Sequence, residues 1–242
     1  MDKVFVIVMG SFDLPIYTEM IKIRINQFRK RNINFHFLIN GDVPSTIDLA
    51  KNEYTNQAYV DYKKDSMSLI WIVKSFQKVL QDLYGNIESE KYDYILLLNA
   101  STFINFDAFV ILLNDYLPKK ELFAGRHLYY EGTKSFVSGV ATILSKDVAK
   151  AYAYETDIDL SKLFHAEDVA ISHLLMDRYM ITDIFDFFSW IIEFSSVPTI
   201  EELNKRINNH YVFYRVKNDA ETVDKRFAID SFIWHKLYER FN

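Results

Sequence analysis

An α/β fold in one domain, with a mostly parallel central sheet flanked by helices, follows from three features of this 242-residue chain. Residues 4–9 and 92–98 are almost wholly apolar, the pattern of strands covered on both faces. Strand-like runs alternate with segments of helical periodicity, as in a strand–helix–strand unit with a right-handed crossover. No tract rich in Gly, Pro or Ser divides the chain, and no repeat is present.

Residues 3–9 form the first strand, and Gly10-Ser11-Phe12-Asp13 opens a loop. From 17 to 31, Met20, Ile21, Ile25 and Phe28 recur at helical spacing, and Asn32 closes the element. The basic residues between 22 and 31 read as the solvated face of that helix. Residues 35–39 make a second strand, stopped by Asn40-Gly41-Asp42. Leu69, Ile70, Val73, Phe76, Val79, Leu80 and Leu83 line one broad stripe of a helix over 66–84, which ends before Gly85. Residues 92–98 are the central strand, broken at Asn99-Ala100-Ser101, and the whole of 92–105 reads as a buried strand running into a ligand-binding turn. A helix at 106–117, a strand at 122–124, a loop at 129–138 and a strand at 140–144 follow. Ser145 caps a helix at 146–154. A helix over 165–179, a strand at 211–216 and a last helix over 230–241 complete the pattern.

A composition of half hydrophobic and one quarter charged residues is ordinary for a folded protein, and a chain of this size needs neither disulfides nor a structural metal. It has no cysteine, which excludes a disulfide framework, thiol catalysis and cysteine-ligated zinc. A net charge of −5 argues against a nucleic-acid partner. No window reaches the roughly 18 apolar residues of a membrane span. The best one, 185–194, contains Asp186 and Glu193. Met1-Asp2-Lys3 and the apolar run behind it read as a strand and not as a signal peptide, so a soluble, cytoplasmic protein is expected. The wealth of Ile, Asn, Lys, Phe and Tyr points to an AT-rich bacterial, viral or protist genome.

In an open α/β sheet, ligands gather beyond the carboxyl ends of the strands. Gly10 to Asp13, Asn99 to Ser101 and the turn at Ser138-Gly139 meet that rule and can converge on one cleft. Each taken singly is an ordinary polar turn.

Their order is more specific. The strand–helix–strand start is followed by Val60-Asp61-Tyr62-Lys63-Lys64-Asp65-Ser66, and then by Tyr92-Asp93-Tyr94-Ile95-Leu96-Leu97-Leu98-Asn99-Ala100-Ser101-Thr102-Phe103-Ile104-Asn105. Next come Ser138-Gly139-Val140-Ala141-Thr142-Ile143-Leu144-Ser145-Lys146-Asp147-Val148-Ala149 and Ala166-Glu167-Asp168-Val169-Ala170. This series resembles the GT-A glycosyltransferases, with their Rossmann-like fold, and most closely the β-3-galactosyltransferase and fringe-like group. The likeness covers about residues 1–180. It implies one domain over 1–242, in which residues 1–105 hold a nucleotide sugar and 106–242 the acceptor.

In that group the central strand runs into an Asp-x-Asp motif whose carboxylates hold Mn2+ or Mg2+ against the donor diphosphate. Here Asn99-Ala100-Ser101 stands at that place and carries no carboxylate. Any cation must therefore take atypical ligands, His210 being the counterpart of the family's later histidine. A histidine beside a strand is otherwise a structural residue. Without a metal, a basic residue must offset the charge, and Arg126, His127, Lys134 and Arg215 are the candidates.

The resemblance makes Asp168, with Glu167 beside it, the carboxylate that takes the acceptor's proton. The residues alone leave open that both acids only complement a helix N-terminus. Gly10, Ser11, Asn99, Ser101, Arg126, Ser138 and Gly139 are the expected donor-binding residues. Asp65 joins them by resemblance, although its place before a helix is that of a cap. Tyr129, Tyr130, Phe136 and Trp190 are aromatics that can stack on an acceptor sugar or simply pack the core.

The implied activity is inverting transfer of a sugar from a nucleotide diphosphate, UDP-linked by expectation, to a hydroxyl of a glycan or other acceptor. The alternative is an inactive relative that keeps a nucleotide or glycan site. An unrelated nucleotide-binding enzyme has no Gly-x-Gly-x-x-Gly or phosphate-loop sequence to support it.

Overall fold

A computed structural model describes residues 3–11, 14–40, 58–60, 68–85, 90–130, 134–156 and 167–242. The chain opens with β1 (Val4–Ser11), α1 (Pro15–Lys30), β2 (Asn34–Asn40), β3 (Ala58–Val60) and α2 (Ser68–Tyr84). It continues with β4 (Tyr94–Asn99), β5 (Thr102–Ile104), α3 (Phe106–Ile111), β6 (Phe123–Tyr130) and β7 (Lys134–Ser145). After α4 (Lys146–Ala153) and α5 (Glu167–Met176) come β8 (Ile181–Asp183), β9 (Phe188–Ile191), α6 (Ile200–Asn204), β10 (Phe213–Val216) and α7 (Val223–Phe241).

Seven strands form a sheet in the order β3-β2-β1-β4-β7-β6-β8. The pairs β2–β3, β1–β2, β1–β4 and β6–β8 are parallel, whereas β7 runs antiparallel to both β4 and β6. The two most apolar strands, β1 and β4, lie side by side in the middle, with Val6, Ile7, Val8, Ile95, Leu96 and Leu98 at 0% exposure and Leu97 at 2%. Alternation along them divides the core. Val4, Val6, Val8, Leu96 and Leu98 pack with Ile21, Ile25 and Phe28 of α1 and Phe106 and Phe109 of α3. Phe5, Ile7, Ile95 and Leu97 pack on the other face with Phe76 and Leu80 of α2, Val148 of α4 and Ile171 of α5. Strands buried on both faces have no polar side to show, hence their unbroken apolar runs.

A second sheet, β5-β10-β9, starts directly after β4. Phe103 of β5, Tyr214 and Val216 of β10 and Ile191 of β9 turn to α7, where Trp234 and Leu237 close a third cluster.

Most predicted elements are found, with shifted ends. Helix α1 carries Arg29 and Lys30 in its last turn and is followed by Asn32 in the left-handed region (φ 51), a normal helix exit. The basic run over 22–31 is not all solvated, however. Arg24 lies on the stripe with Met20, Ile21 and Phe28 and is fully buried. Of the loop expected at 129–138, residues 129–130 and 134–138 are instead strand, the ends of β6 and β7, paired from His127↔Val137 to Tyr130↔Lys134, and 131–133 lie outside the described residues. These ends are short, mix polar with aromatic residues and project past the end of β4, so no apolar alternation marked them. The helix expected over 106–117 is α-helical to Ile111 and continues as a π-helical turn, Leu112–Tyr116. The last helix begins at Val223, ahead of the apolar stripe that marked it, because Thr222 accepts from Lys225 N–H at 3.2 Å. Ser145 does precede α4, but its hydroxyl donates to Asp147 at 2.5 Å and accepts from Leu122 N–H at 2.9 Å instead of capping the helix. The apolar stretch at 185–194 forms a short 3-10 turn and β9. No helix among the described residues is long and apolar enough to cross a membrane.

Two predictions follow from the packing. A Cβ on Gly125 of β6 would lie 2.2 Å from Val137 Cγ1 and 2.7 Å from the Ala141 carbonyl oxygen. Since backbone cannot yield cheaply, Gly125→Ala is expected to cost about 2–4 kcal/mol in denaturant unfolding. A cost within error of zero would contradict the close approach. The second concerns His36, 4% exposed on β2 with Nε2 unpartnered among the described residues. Burial pushes its pKa down to about 4 from 6.5, against an opposing pull from Asp82. Between those values the unfolded chain binds the extra proton, so stability falls as pH drops from about 6.5 to about 4, by up to about 3 kcal/mol. His36→Leu should lose this part of the acid slope, as read from unfolding midpoints against pH, and equal slopes in the two proteins would refute it.

Candidate functional site

Strand register brings the predicted segments to one edge. Met9 pairs with Asn99, and Ala100 N–H donates to the Met9 carbonyl at 2.7 Å, which sets Gly10 beside the turn. Leu98 pairs with Ala141, and the Thr102 hydroxyl donates to the Val140 carbonyl at 2.8 Å, which brings up Ser138 and Gly139. Between Gly125↔Thr142 and His127↔Val137 the β6–β7 register slips, so Ser138 to Ala141 form a bulge opposite Arg126. Bulges re-aim the side chains beside them.

Within the turn, Asn99 Oδ1 accepts from Ser101 N–H at 3.1 Å and from the Ser101 hydroxyl at 2.8 Å. Ser101 is fully buried, and its hydroxyl accepts in turn from Arg215 Nη1. Arg215 reaches it because β10 pairs with β5, Arg215 opposite Thr102, while Val216 N–H donates to the Ser101 carbonyl at 2.9 Å. Asn99, Gly10, Gly139 and Arg215 are partly exposed, whereas Ser138 is 5% exposed. Ser101 and Ser138 thus shape the backbone, and Asn99 and Arg215 offer polar groups at the edge.

Arg24 supports the same turn from below. Its Nη2 donates to the Ala100 carbonyl at 3.2 Å and to that of Thr102, with its guanidinium over the Trp234 ring at 5.1 Å. Among the described residues no carboxylate pairs with it, and burial alone pushes its pKa down to about 9, which leaves it a cation at neutral pH. The sequence signal was present: Arg24 falls four residues after Met20 and four before Phe28, on the apolar stripe of α1.

Asp168, at the start of α5, is tied to the bulge. One carboxylate oxygen accepts from Gly139 N–H and the other from Val169 N–H, both at 2.9 Å. A Cβ on Gly139 would stand 3.2 Å from that of Asp168, so glycine permits the approach. Asp65 lies outside the described residues, as do the side chains of Ser11, Glu167, Tyr130 and Lys134.

The remaining candidates separate. His210 is exposed and stacks on Phe187 at 5.0 Å. Among the described residues no three His, Asp or Glu side chains come together as a metal site. The turn fits a hard divalent cation poorly: Asn99 Oδ1 is engaged by Ser101, and the Ser101 oxygen faces a guanidinium. His127 stacks on Tyr129 at 4.8 Å, and Tyr129 is 66% exposed, a ring open to a ligand. Phe136 is partly buried opposite Leu128. The Trp190 face is covered by Arg126, 4.3 Å from its centroid. Asn105 caps α3 by accepting from Ala108 N–H at 3.3 Å, and its amide donates to the carbonyls of Asn209 and Tyr211.

No family model matches the sequence, and no curated protein matches it. Among solved structures, a glycosyltransferase involved in the glycosylation of the major capsid of PBCV-1 superposes with a TM-score of 0.53 at 10% identity, covering 98% of this chain and 99% of that one. The fold is that of the GT-A glycosyltransferases. The galactosyltransferase LgtC, solved with donor and acceptor sugar analogs, also has a TM-score of 0.53, at 9% identity over 98% of this chain and 96% of its own. Identities this low speak for the GT-A fold and not for a shared substrate. The expected α/β class, with its mostly parallel sheet, is therefore found.

Asp168 has a structural duty that mutation exposes. Asp168→Ala leaves the Gly139 and Val169 amides without their acceptor and should cost about 1–2 kcal/mol in denaturant unfolding. An unchanged midpoint would mean that the carboxylate does not hold the bulge.

Proposed function

We propose that this protein transfers a sugar from a nucleotide diphosphate donor, UDP-linked, to a hydroxyl acceptor with inversion, in a site where arginine stands in for the divalent metal. The observation that carries this reading is the contact from Arg215 to Ser101 and through it to Asn99, at the carboxyl end of β4 in a GT-A fold. A fixed guanidinium beside that turn can accept the negative charge that grows on a departing diphosphate.

In this reading Gly10, Ser11, Asn99 and Gly139 line the donor site, and the resemblance adds Asp65 to them. Ser101 and Ser138 hold its backbone, and Arg24 stabilises the turn beneath. Residues 1–105 supply most of the donor site and 106–242 the acceptor site within one domain, with Gly139 and Arg215 of the second part reaching across to the donor. Asp168, with Glu167 next to it, takes the proton from the acceptor hydroxyl as that oxygen bonds to the anomeric carbon. The bond from that carbon to the diphosphate oxygen breaks, and its electron pair leaves with the nucleotide, opposite Arg215. His210 has no part in this scheme.

The second reading, an inactive relative that binds a nucleotide or glycan, is favoured by the engagement of Asn99 and Ser101 with each other. One set of measurements separates the two. UDP-sugars should raise the melting temperature and be hydrolysed slowly, with EDTA leaving the rate unchanged. Asp168→Asn should cut turnover roughly a hundredfold or more while UDP still binds, and Arg215→Gln should weaken UDP about tenfold or more. Binding without turnover for every donor and acceptor tried would favour the inactive relative. Loss of turnover on chelation would refute the metal-free site, and failure of every nucleotide sugar to bind would remove both readings.

A further inference from the structure

Arg126 is held in an unusual way for a charged side chain. Its guanidinium lies 4.3 Å from the Trp190 ring centroid and 4.9 Å from that of Phe185. Its Nε is buried and has no hydrogen-bond partner among the described residues, and the same is true of Nε1 of Trp190. Among the described residues Arg126 takes part in no ion pair within 4.0 Å, and the acid that acts on it, Asp183, has one carboxylate oxygen engaged by the amides of His127 and Phe185. Partial burial lowers its pKa against an opposing pull from Asp183, and the two rings supply no acceptor.

Two buried N–H donors on touching side chains are a cost to folding unless something accepts from them. Rings hold a guanidinium in plane but leave its N–H edge unused, the geometry that suits a bidentate oxyanion. The location agrees. Arg126 stands opposite the Ser138–Ala141 bulge, and Trp190 is the register partner of Arg215 across β9 and β10. The pair therefore adjoins the edge at which Asn99, Gly139 and Asp168 gather.

We propose that Arg126 and Trp190 together form a preorganised oxyanion site, which binds a phosphate or carboxylate group of a substrate at this edge. Trp190 is then a hydrogen-bond donor and a clamp for the arginine, and not a platform for a sugar ring. The proposal deepens the glycosyltransferase reading, since the oxyanion belongs either to the donor diphosphate or to an acidic sugar, but it does not require turnover.

The test is isothermal titration of the full-length protein with three probes: inorganic pyrophosphate, UDP and D-glucuronate. Variants are Arg126→Gln, Arg126→Lys, and Trp190→Phe, which keeps a ring but removes the N–H. The expected result is a loss of roughly tenfold or more in oxyanion affinity for Arg126→Gln, partial recovery in Arg126→Lys, and a several-fold loss for Trp190→Phe. A loss confined to pyrophosphate and UDP assigns the group to the donor, and a loss confined to glucuronate assigns it to an acidic sugar. If the three affinities stay within twofold while the melting temperature falls, the pair is only a structural stack and the proposal is overturned. It is overturned equally if wild type binds none of the probes. If UDP does not bind but pyrophosphate or glucuronate binds through Arg126, the nucleotide-sugar reading fails and the oxyanion site stands.

Discussion

Everything at the site depends on how β4 passes the chain from one sheet to another across Ala100 and Ser101. A turn buried between two sheets has no water to satisfy its backbone, so each polar group needs a partner in the protein. The Ala100 amide donates to Met9, the Ser101 amide to the Asn99 side chain, and the Ser101 carbonyl accepts from Val216. Arg24 donates to the carbonyls of Ala100 and Thr102, and the Thr102 hydroxyl donates to Val140. Those partners come from α1, β1, β7 and β10, so the turn ties four elements of distant sequence to one point.

The same requirement explains the charge distribution. Carboxylates at the turn would need a cation, and a divalent ion supplies it in proteins that carry them. With Asn99 and Ser101 in place, neutral groups satisfy one another, and Arg24 and Arg215 approach the turn from other elements. Arg24 is buried below the turn and Arg215 reaches it from the small sheet, while Arg126 lies across the Trp190 ring. Such cations are fixed by packing. A bound ion brings its charge and leaves with it, whereas guanidiniums held by rings and carbonyls are part of the fold.

Two faces of the main sheet contribute to the edge by different routes. Helix α5 packs with the cluster that includes Phe5, Ile7 and Leu97, and presents Asp168 to the bulge from that side. Trp190 packs with the opposite cluster, which includes Val140 and Phe213, and carries Arg126 with it. The bulge in β7 is where the sheet no longer separates them. Gly139 lies within it and Gly125 on the facing strand, each where a methyl group would meet a neighbour.

The strands, the helices and their order were legible in the sequence, because burial on one or two faces imposes periods of 3.6 or 2 on residues close together in the chain. The runs of β1 and β4, the stripes of α1 and α2, and the polar breaks at Asn99 and Gly139 are local facts of this kind. Short elements such as β5, β8 and β9 were not legible, since three or four residues carry too little period. Nor were the ends of β6 and β7, which pair with each other beyond the end of β4. Residue partners escaped for the same reason. That Arg24 is buried under a turn 76 positions away, and that Arg215 reaches a serine 114 positions away, are decided by strand order and register. Local pattern thus determined which side chains could be polar at a strand end; tertiary packing alone decided which of them meet, because hydrogen bonds and ring contacts depend on distances in space that sequence separation does not set.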